Sequence, residues 1–157
     1  MNAIVDRQVA CEENGYIPAQ EELTLWASRA LKACNAEGEL TVRIVEPDES
    51  QSLNHQFRDK DKPTNVLSFP FSAPIGIATD LLGDLVVCKA IVEAEAQEQL
   101  KPLSHHWAHM VVHGCLHLLG YDHIEDDEAQ QMESLEIDIL ATLGIANPYE
   151  DLLDKEL

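Results

Sequence analysis

The chain is poor in positive charge. Its 157 residues include only ten lysines and arginines against 29 aspartates and glutamates, which gives a formal net charge of −19. A field this negative repels other polyanions, which argues against sequence-independent wrapping of nucleic acid and against binding to an anionic membrane surface. Any polyanionic substrate would therefore need a local site of opposite charge.

The chain also lacks paired cysteines, long apolar runs and internal repeats. Its four cysteines are widely spaced without a Cys-x-x-Cys pair, which favours free thiols in a reducing cytosol, with Cys88 and Cys115 packed as small hydrophobic side chains. No apolar run approaches the roughly 18 residues of a membrane span, and no basic region followed by an apolar one stands at the N-terminus. We expect a cytoplasmic protein that binds no membrane.

The length and the 45% content of hydrophobic residues predict one domain over residues 1–157. Side-chain patterns predict strands over 3–10, 39–46, 65–71 and 82–88, and helices over 18–34, 47–57, 89–100, 103–119 and 125–143. Because the strands precede most of the helices, we predict an α+β fold in which a small mixed sheet packs with helices.

Six of the seven histidines fall within residues 102–157. His113 and His117 are four residues apart on a predicted helix, so both imidazoles lie on one face and can reach one metal ion. Gly120 can adopt the left-handed conformation that ends a helix, which would return His123 to the same point. Three neutral imidazoles with an open fourth position are typical of a catalytic zinc site.

The spacing of HGCLHLLGYDH (113–123) matches the metzincin pattern H-E-x-x-H-x-x-G-x-x-H at its three histidines and its glycine. It departs at Gly114, where the peptidases carry the glutamate that activates water. The sequence therefore predicts a hydrolytic metal centre of another kind. His109 could compete as a ligand, but its position on the helix rotates it away from His117, so we prefer His123 as the third ligand.

Several neighbouring residues have simpler interpretations. We predict that His105, His106 and His109 are ordinary surface or core residues. Asp122 either orients a ligand imidazole or is a turn residue. The helix segment 125–138 has seven acidic residues and no basic one, which indicates a solvated face or, alternatively, a docking surface for a basic protein.

Arg58, Lys60 and Lys62 form a local basic cluster in a chain that is otherwise strongly acidic. Such a cluster could bind phosphate, with Arg58 holding an anionic oxygen through two donors. Alternatively, Asp59 and Asp61 neutralise the cluster and the loop is a solvated turn. Charge alone does not decide between these two interpretations.

Three segments together resemble the YbeY family of bacterial rRNA maturation endonucleases. They are FRDKDKPTNVLSFP (57–70), LGDL (82–85) and HGCLHLLGYDH (113–123). The resemblance implies a metal-dependent endoribonuclease that cleaves single strands and acts in 16S rRNA 3′-end maturation and in ribosome quality control. It also implies a metal-carrying helix similar to that of the zincin peptidases.

The resemblance assigns roles to residues of this chain. His113, His117 and His123 would bind one divalent metal ion, by expectation Zn²⁺, and serve catalysis. Arg58 would contact RNA phosphate and act in catalysis. Lys60 and Lys62 belong to the same predicted substrate-binding loop. The implied partners are single-stranded rRNA and the small ribosomal subunit or its proteins, with no DNA.

Two rival functions stay open at this point. One is a zinc peptidase-like hydrolase, which the histidine spacing favours and Gly114 disfavours. The other is a noncatalytic ribosome-assembly factor, in which the metal only holds the last helices together.

Overall fold

Four strands and five helices form the computed structural model, which describes residues 2–73, 75–76, 79–122 and 124–149. In chain order they are β1 (Ala3–Ala10), α1 (Gln20–Ala33), β2 (Gly38–Val45), α2 (Pro47–Arg58), β3 (Val66–Pro70), β4 (Leu81–Cys88), α3 (Lys89–Glu98), α4 (Leu103–Leu118) and α5 (Asp126–Thr142). The predicted fold, a small mixed sheet packed with helices, is confirmed.

The strands form one sheet in the order β1-β2-β4-β3. β1, β2 and β4 are parallel neighbours, whereas β3 pairs antiparallel to β4 at the edge. Parallel strands need a crossover connection, which α1 provides between β1 and β2. Leu40, Val42 and Ile44 alternate along β2 and are all buried, so one face of the sheet is apolar.

The main hydrophobic core lies between this apolar face and the helices. It joins Leu23 and Leu31 of α1 with Trp107 and Leu116 of α4, all of which are fully buried. Cys115 belongs to the same core, and burial raises the pKa of its thiol to about 12. The buried α4 thus fixes its few polar side chains in defined positions.

The opposite face of the sheet is covered only in part. A smaller apolar cluster there contains Val45, Val86 and Cys88, and Leu53 of α2 packs against it. Cys88 is fully buried, so the predicted packing of Cys88 and Cys115 is confirmed. Within the described part of the chain, no helix has the length and apolar character needed to cross a membrane.

Candidate metal centre and adjoining cleft

His113 and His117 lie one turn apart on α4, and their side chains converge. Their ring centroids are 4.6 Å apart, and their Nε2 atoms are 3.1 Å apart. Both side chains are partly exposed at the surface of an otherwise buried helix. The structure therefore brings two of the predicted ligands together through their Nε2 atoms.

The hydrogen bonds of the two rings assign their tautomers. Nδ1 of His117 donates to the carbonyl oxygen of Tyr121 at 3.0 Å, and Nδ1 of His113 donates to the carboxylate of Glu136. Because these oxygens are acceptors, both Nδ1 atoms carry the proton, and Nε2 holds the lone pair in each neutral ring.

A cation suits this arrangement of two facing lone pairs. Two nitrogens bound to one tetrahedral zinc ion lie about 3.3 Å apart, which is close to the separation of the two Nε2 atoms. The engagement of each Nδ1 with an oxygen is the usual outer contact of a metal-binding histidine. His113 and His117 therefore fit a divalent metal ion by their chemistry.

The chain reverses directly after α4. Gly120 has a φ of 100°, and the backbone N–H of Tyr121 donates to the carbonyl oxygen of Leu116 at 3.0 Å. This is the glycine-terminated helix end that the sequence predicts. His123 lies outside the described residues, so its place as third ligand stays a prediction. Asp122 is partly buried.

Glu136 of α5 contacts His113, one member of this histidine pair. Its side chain is 0% exposed, and it accepts hydrogen bonds from Nδ1 of His113, from Nε2 of His109 at 3.2 Å and from the hydroxyl of Tyr149. Burial alone would raise the pKa of Glu136, but the hydrogen bonds from His109 and His113 lower it to about 2. Glu136 is therefore an ionised acceptor that holds three side chains in place.

The same network contains a second possible donor set. His109, His113 and Glu136 each offer one ligand atom, and these atoms lie within 4.8 Å of one another, so the trio could form a metal site. His113 is common to both arrangements, with Nδ1 facing the trio and Nε2 facing His117. Burial lowers the pKa of His109, although Glu136 opposes that shift, so His109 is neutral. Its Nε2 could bind a metal ion there only if the ring proton moved to Nδ1.

The sequence interpretation missed Glu136. It counted this residue among the seven acids of a solvated face, which is correct for the six exposed ones and wrong for Glu136. A signal was present, because Glu136 stands three to four residues from Met132, Ile139 and Leu140, all buried on α5. The prediction that His109 is an ordinary core residue also omits its contact with Glu136.

His106 and His105 are not part of the histidine pair. His106 is buried, and its Nε2 lies 2.9 Å from the carboxylate of Glu95, which also accepts from Asn65. His105 is partly buried. The prediction of an ordinary core position is confirmed for His106.

Gly114 lies where α4 approaches β4 most closely. A Cβ atom at this position would be 2.7 Å from Cδ2 of Leu85, which is fully buried. The glycine therefore has a packing role between helix and sheet. A side chain at position 114, where metzincins carry the catalytic glutamate, would therefore point into the core of this protein.

The basic loop after α2 is held by hydrogen bonds to its backbone. Asn54 donates from Nδ2 to the carbonyl oxygen of Lys62 at 2.8 Å. The hydroxyl of Ser50 contacts both the N–H and the carbonyl oxygen of Thr64 at 3.0 Å. Asn54 and Ser50 are each 2% exposed. The loop thus has a defined backbone, although its charged side chains are exposed.

One cleft joins this loop to the histidine pair. It has a volume of about 260 Å³, and its lining includes Arg58, Lys60, Lys62, His113 and His117. Within the described residues, none of the three basic side chains forms an ion pair. The structure therefore shows no ion pair by which Asp59 or Asp61 would neutralise these three side chains within the described residues.

The comparisons with known proteins give first a class and then a family. The model of a family described as "Endoribonuclease YbeY" matches residues 8–144, which identifies an RNA-cleaving hydrolase. The chain belongs to the YbeY family, so the resemblance found in the sequence is confirmed. In fold, the chain is similar to the solution structure of TM1509 from Thermotoga maritima, with a TM-score of 0.55 and 24% identity over 94% of this chain and 99% of that chain.

Proposed function

We propose that this protein is a metal-dependent endoribonuclease that cleaves single-stranded RNA in 16S rRNA 3′-end maturation and in ribosome quality control. The observation that supports the proposal best is the shared cleft, in which the facing histidines and three cationic side chains lie together. Family membership supports an RNA substrate. The small ribosomal subunit or its proteins are the proposed partners, and the cytoplasm is the proposed location.

The proposed metal ligands are His113, His117 and His123, and the proposed ion is Zn²⁺. A divalent ion bound there would act as a Lewis acid on a phosphoryl oxygen and lower the pKa of a bound water. Support comes from the tautomers of His113 and His117, which direct both Nε2 lone pairs to one place. In this proposal Glu136 orients His113 rather than binding the ion itself.

The basic residues bind and orient the RNA. Arg58 can hold two phosphate oxygens through its planar guanidinium group and stabilise the charge that develops there during cleavage. Lys60 and Lys62, which also line the cleft, add positive potential there. Because this cleft is a local basic cluster in a chain of net charge −19, we expect weak nonspecific RNA binding and dependence on the ribosomal context.

The first test combines metal analysis with RNA cleavage by the wild type and the variants His113→Ala and Arg58→Ala. We expect His113→Ala to lose both metal and cleavage. Arg58→Ala should keep the metal and the fold, and its kcat should fall by about 100-fold. Lys32→Ala is the control, because Lys32 is an exposed cation outside the cleft.

Several outcomes would contradict the proposal. Full RNA cleavage by Arg58→Ala would remove the role of that residue. Metal-dependent cleavage of unstructured peptides without any RNA cleavage would indicate a peptidase. The product ends distinguish the attacking group, since 2′,3′-cyclic phosphate ends would indicate attack by the RNA 2′-hydroxyl rather than by water.

A further inference from the structure

All three phenylalanines of this chain, Phe57, Phe69 and Phe71, have accessible rings. Phe57 is 57% exposed and Phe71 is 47% exposed, although phenylalanine is one of the residues most often buried. Phe57 is nevertheless fixed in position, because its ring packs edge-on against Phe69 with the centroids 5.2 Å apart and the planes at 70°. An aromatic ring that is exposed and also held in position can offer its free face to a ligand.

The Phe57–Phe69 pair lines a groove whose residues adjoin those of the histidine cleft in sequence. Arg58 and Ser68 line the cleft that contains the histidine pair, whereas Phe57 and Phe69, their immediate neighbours in sequence, line a groove on the partly covered sheet face. This groove has a volume of about 560 Å³. Because Phe57 and Arg58 are consecutive residues at the end of α2, their Cα atoms are about 3.8 Å apart, so a nucleotide whose phosphate lies at Arg58 can reach Phe57 with its base.

The charges of the groove select which part of an RNA chain it can take. Arg43 is bound through two hydrogen bonds of 2.6 and 3.0 Å to Glu49, so its charge is compensated, and Asp84 adds an exposed carboxylate. This groove would repel the phosphate backbone. A neutral nucleobase could enter it, since its flat face can stack on an aromatic ring and its edges can hydrogen-bond to polar side chains.

We propose that Phe57, braced by Phe69, is a stacking platform for an unpaired nucleobase next to the phosphate held at Arg58. The inference rests on the proposed function and deepens it, because it explains a preference for single strands. Bases within a duplex are already stacked and cannot turn onto a protein side chain, whereas unpaired bases can.

The binding test uses a short 2′-O-methyl phosphorothioate oligonucleotide, which resists hydrolysis, and the metal-loaded protein. Phe57→Ala should weaken binding of the single strand by about 5- to 150-fold, the range for loss of one stacked base. Phe57→Leu keeps the apolar contact with Phe69 but offers no aromatic face, so it should be equally weakened. Phe57→Tyr should bind like the wild type, and Phe71→Ala is the control for loss of an exposed ring elsewhere.

A spectroscopic test detects stacking directly. Trp26 and Trp107 are buried, with exposed fractions of 6% and 0%, so a tryptophan introduced by Phe57→Trp would give the solvent-accessible emission. We expect the single strand to quench this emission, and its preformed duplex to quench it far less. Phe57→Leu binding as tightly as the wild type, or no quenching of Phe57→Trp by bound single strand, would overturn the stacking role. Absence of single-strand binding and cleavage in the wild type would instead contradict the proposed function.

Discussion

Nε2 of His113 faces Nε2 of His117 across 3.1 Å, while Nδ1 of His113 donates to Glu136. A metal ion on the Nε2 side would need His117, whereas an ion held by His109, His113 and Glu136 would not. We expect His117→Ala to weaken Zn²⁺ binding by about 100-fold or more, because three proposed protein ligands share a total binding free energy of the order of 10–16 kcal/mol.

The comparison variant is His109→Gln, which changes only the alternative trio. It should reduce Zn²⁺ affinity by less than about tenfold, since His109 would be separated from the ion by Glu136. Isothermal titration of the metal-free proteins with Zn²⁺ measures both values. A larger loss in His109→Gln than in His117→Ala would place the ion in the trio instead.

Metal removal should inactivate the protein without unfolding it. The hydrophobic core between the sheet and the helices does not include His113 or His117, so this core should persist in a chelator. We expect an unchanged far-UV circular dichroism spectrum, a Tm lower by about 5–10 °C and no RNA cleavage, with recovery on adding Zn²⁺. Loss of the folded spectrum would favour a metal that only holds the helices together.

Glu136→Gln should lower metal affinity while preserving the fold. The amide has nearly the same volume, but it offers one acceptor oxygen to the three donors that surround Glu136. Loss of such an orienting carboxylate lowers metal affinity by about 10- to 100-fold. The matched control is Glu133→Gln on the same helix, where the side chain is exposed. Equal effects of both substitutions would exclude a specific role for Glu136.

Tyr149→Phe should affect both stability and metal binding. The substitution keeps the ring and removes the hydroxyl that donates to Glu136, which should lower the free energy of unfolding by about 1 kcal/mol. Tyr16→Phe removes a similar bond, from Tyr16 to Glu22 at 2.7 Å, which is not part of the Glu136 network. We expect comparable changes in denaturant midpoint for the two variants, but a weaker Zn²⁺ affinity only for Tyr149→Phe.

Asn54→Ala should raise the KM for RNA while the chain still folds. Without the bond to the carbonyl oxygen of Lys62, the basic loop loses a fixed point, and the free energy of unfolding should fall by about 1–2 kcal/mol. Asn2→Ala serves as the control, since it removes a bond of the same kind, from Asn2 to the carbonyl oxygen of Ala36 at 3.0 Å. An equal KM for both variants would show that the loop needs no anchoring by Asn54.

Most of the secondary structure was predictable because its signals are local. The alternation in β2 and the helical spacing in α1 fix the element type, and every predicted element lies within two residues of its observed bounds. The strand order was not predictable in this way. The parallel pairing of β2 with β4, which leaves β3 at the edge, joins residues far apart in the sequence, such as Val45 and Cys88, and a local pattern does not encode it.

The site was predictable to the extent that helix geometry defines it. The spacing of His113 and His117 predicted their convergence, but tertiary packing alone brings Arg58 at the end of α2 into the same cleft. Glu136 could have been found from its phase on α5. Tyr149 could not, because its approach to Glu136 depends on how the segment after α5 folds back.

The contact between Gly114 and Leu85 also bears on how this scaffold can evolve. A single exchange of Gly114 for glutamate would drive a charged side chain into a fully buried leucine, so the intermediate sequence would fold poorly before it gained any new chemistry. A smaller residue at position 85 would relieve this contact. The packing of α4 against β4 therefore opposes a glutamate at position 114, whatever ligands the metal site offers.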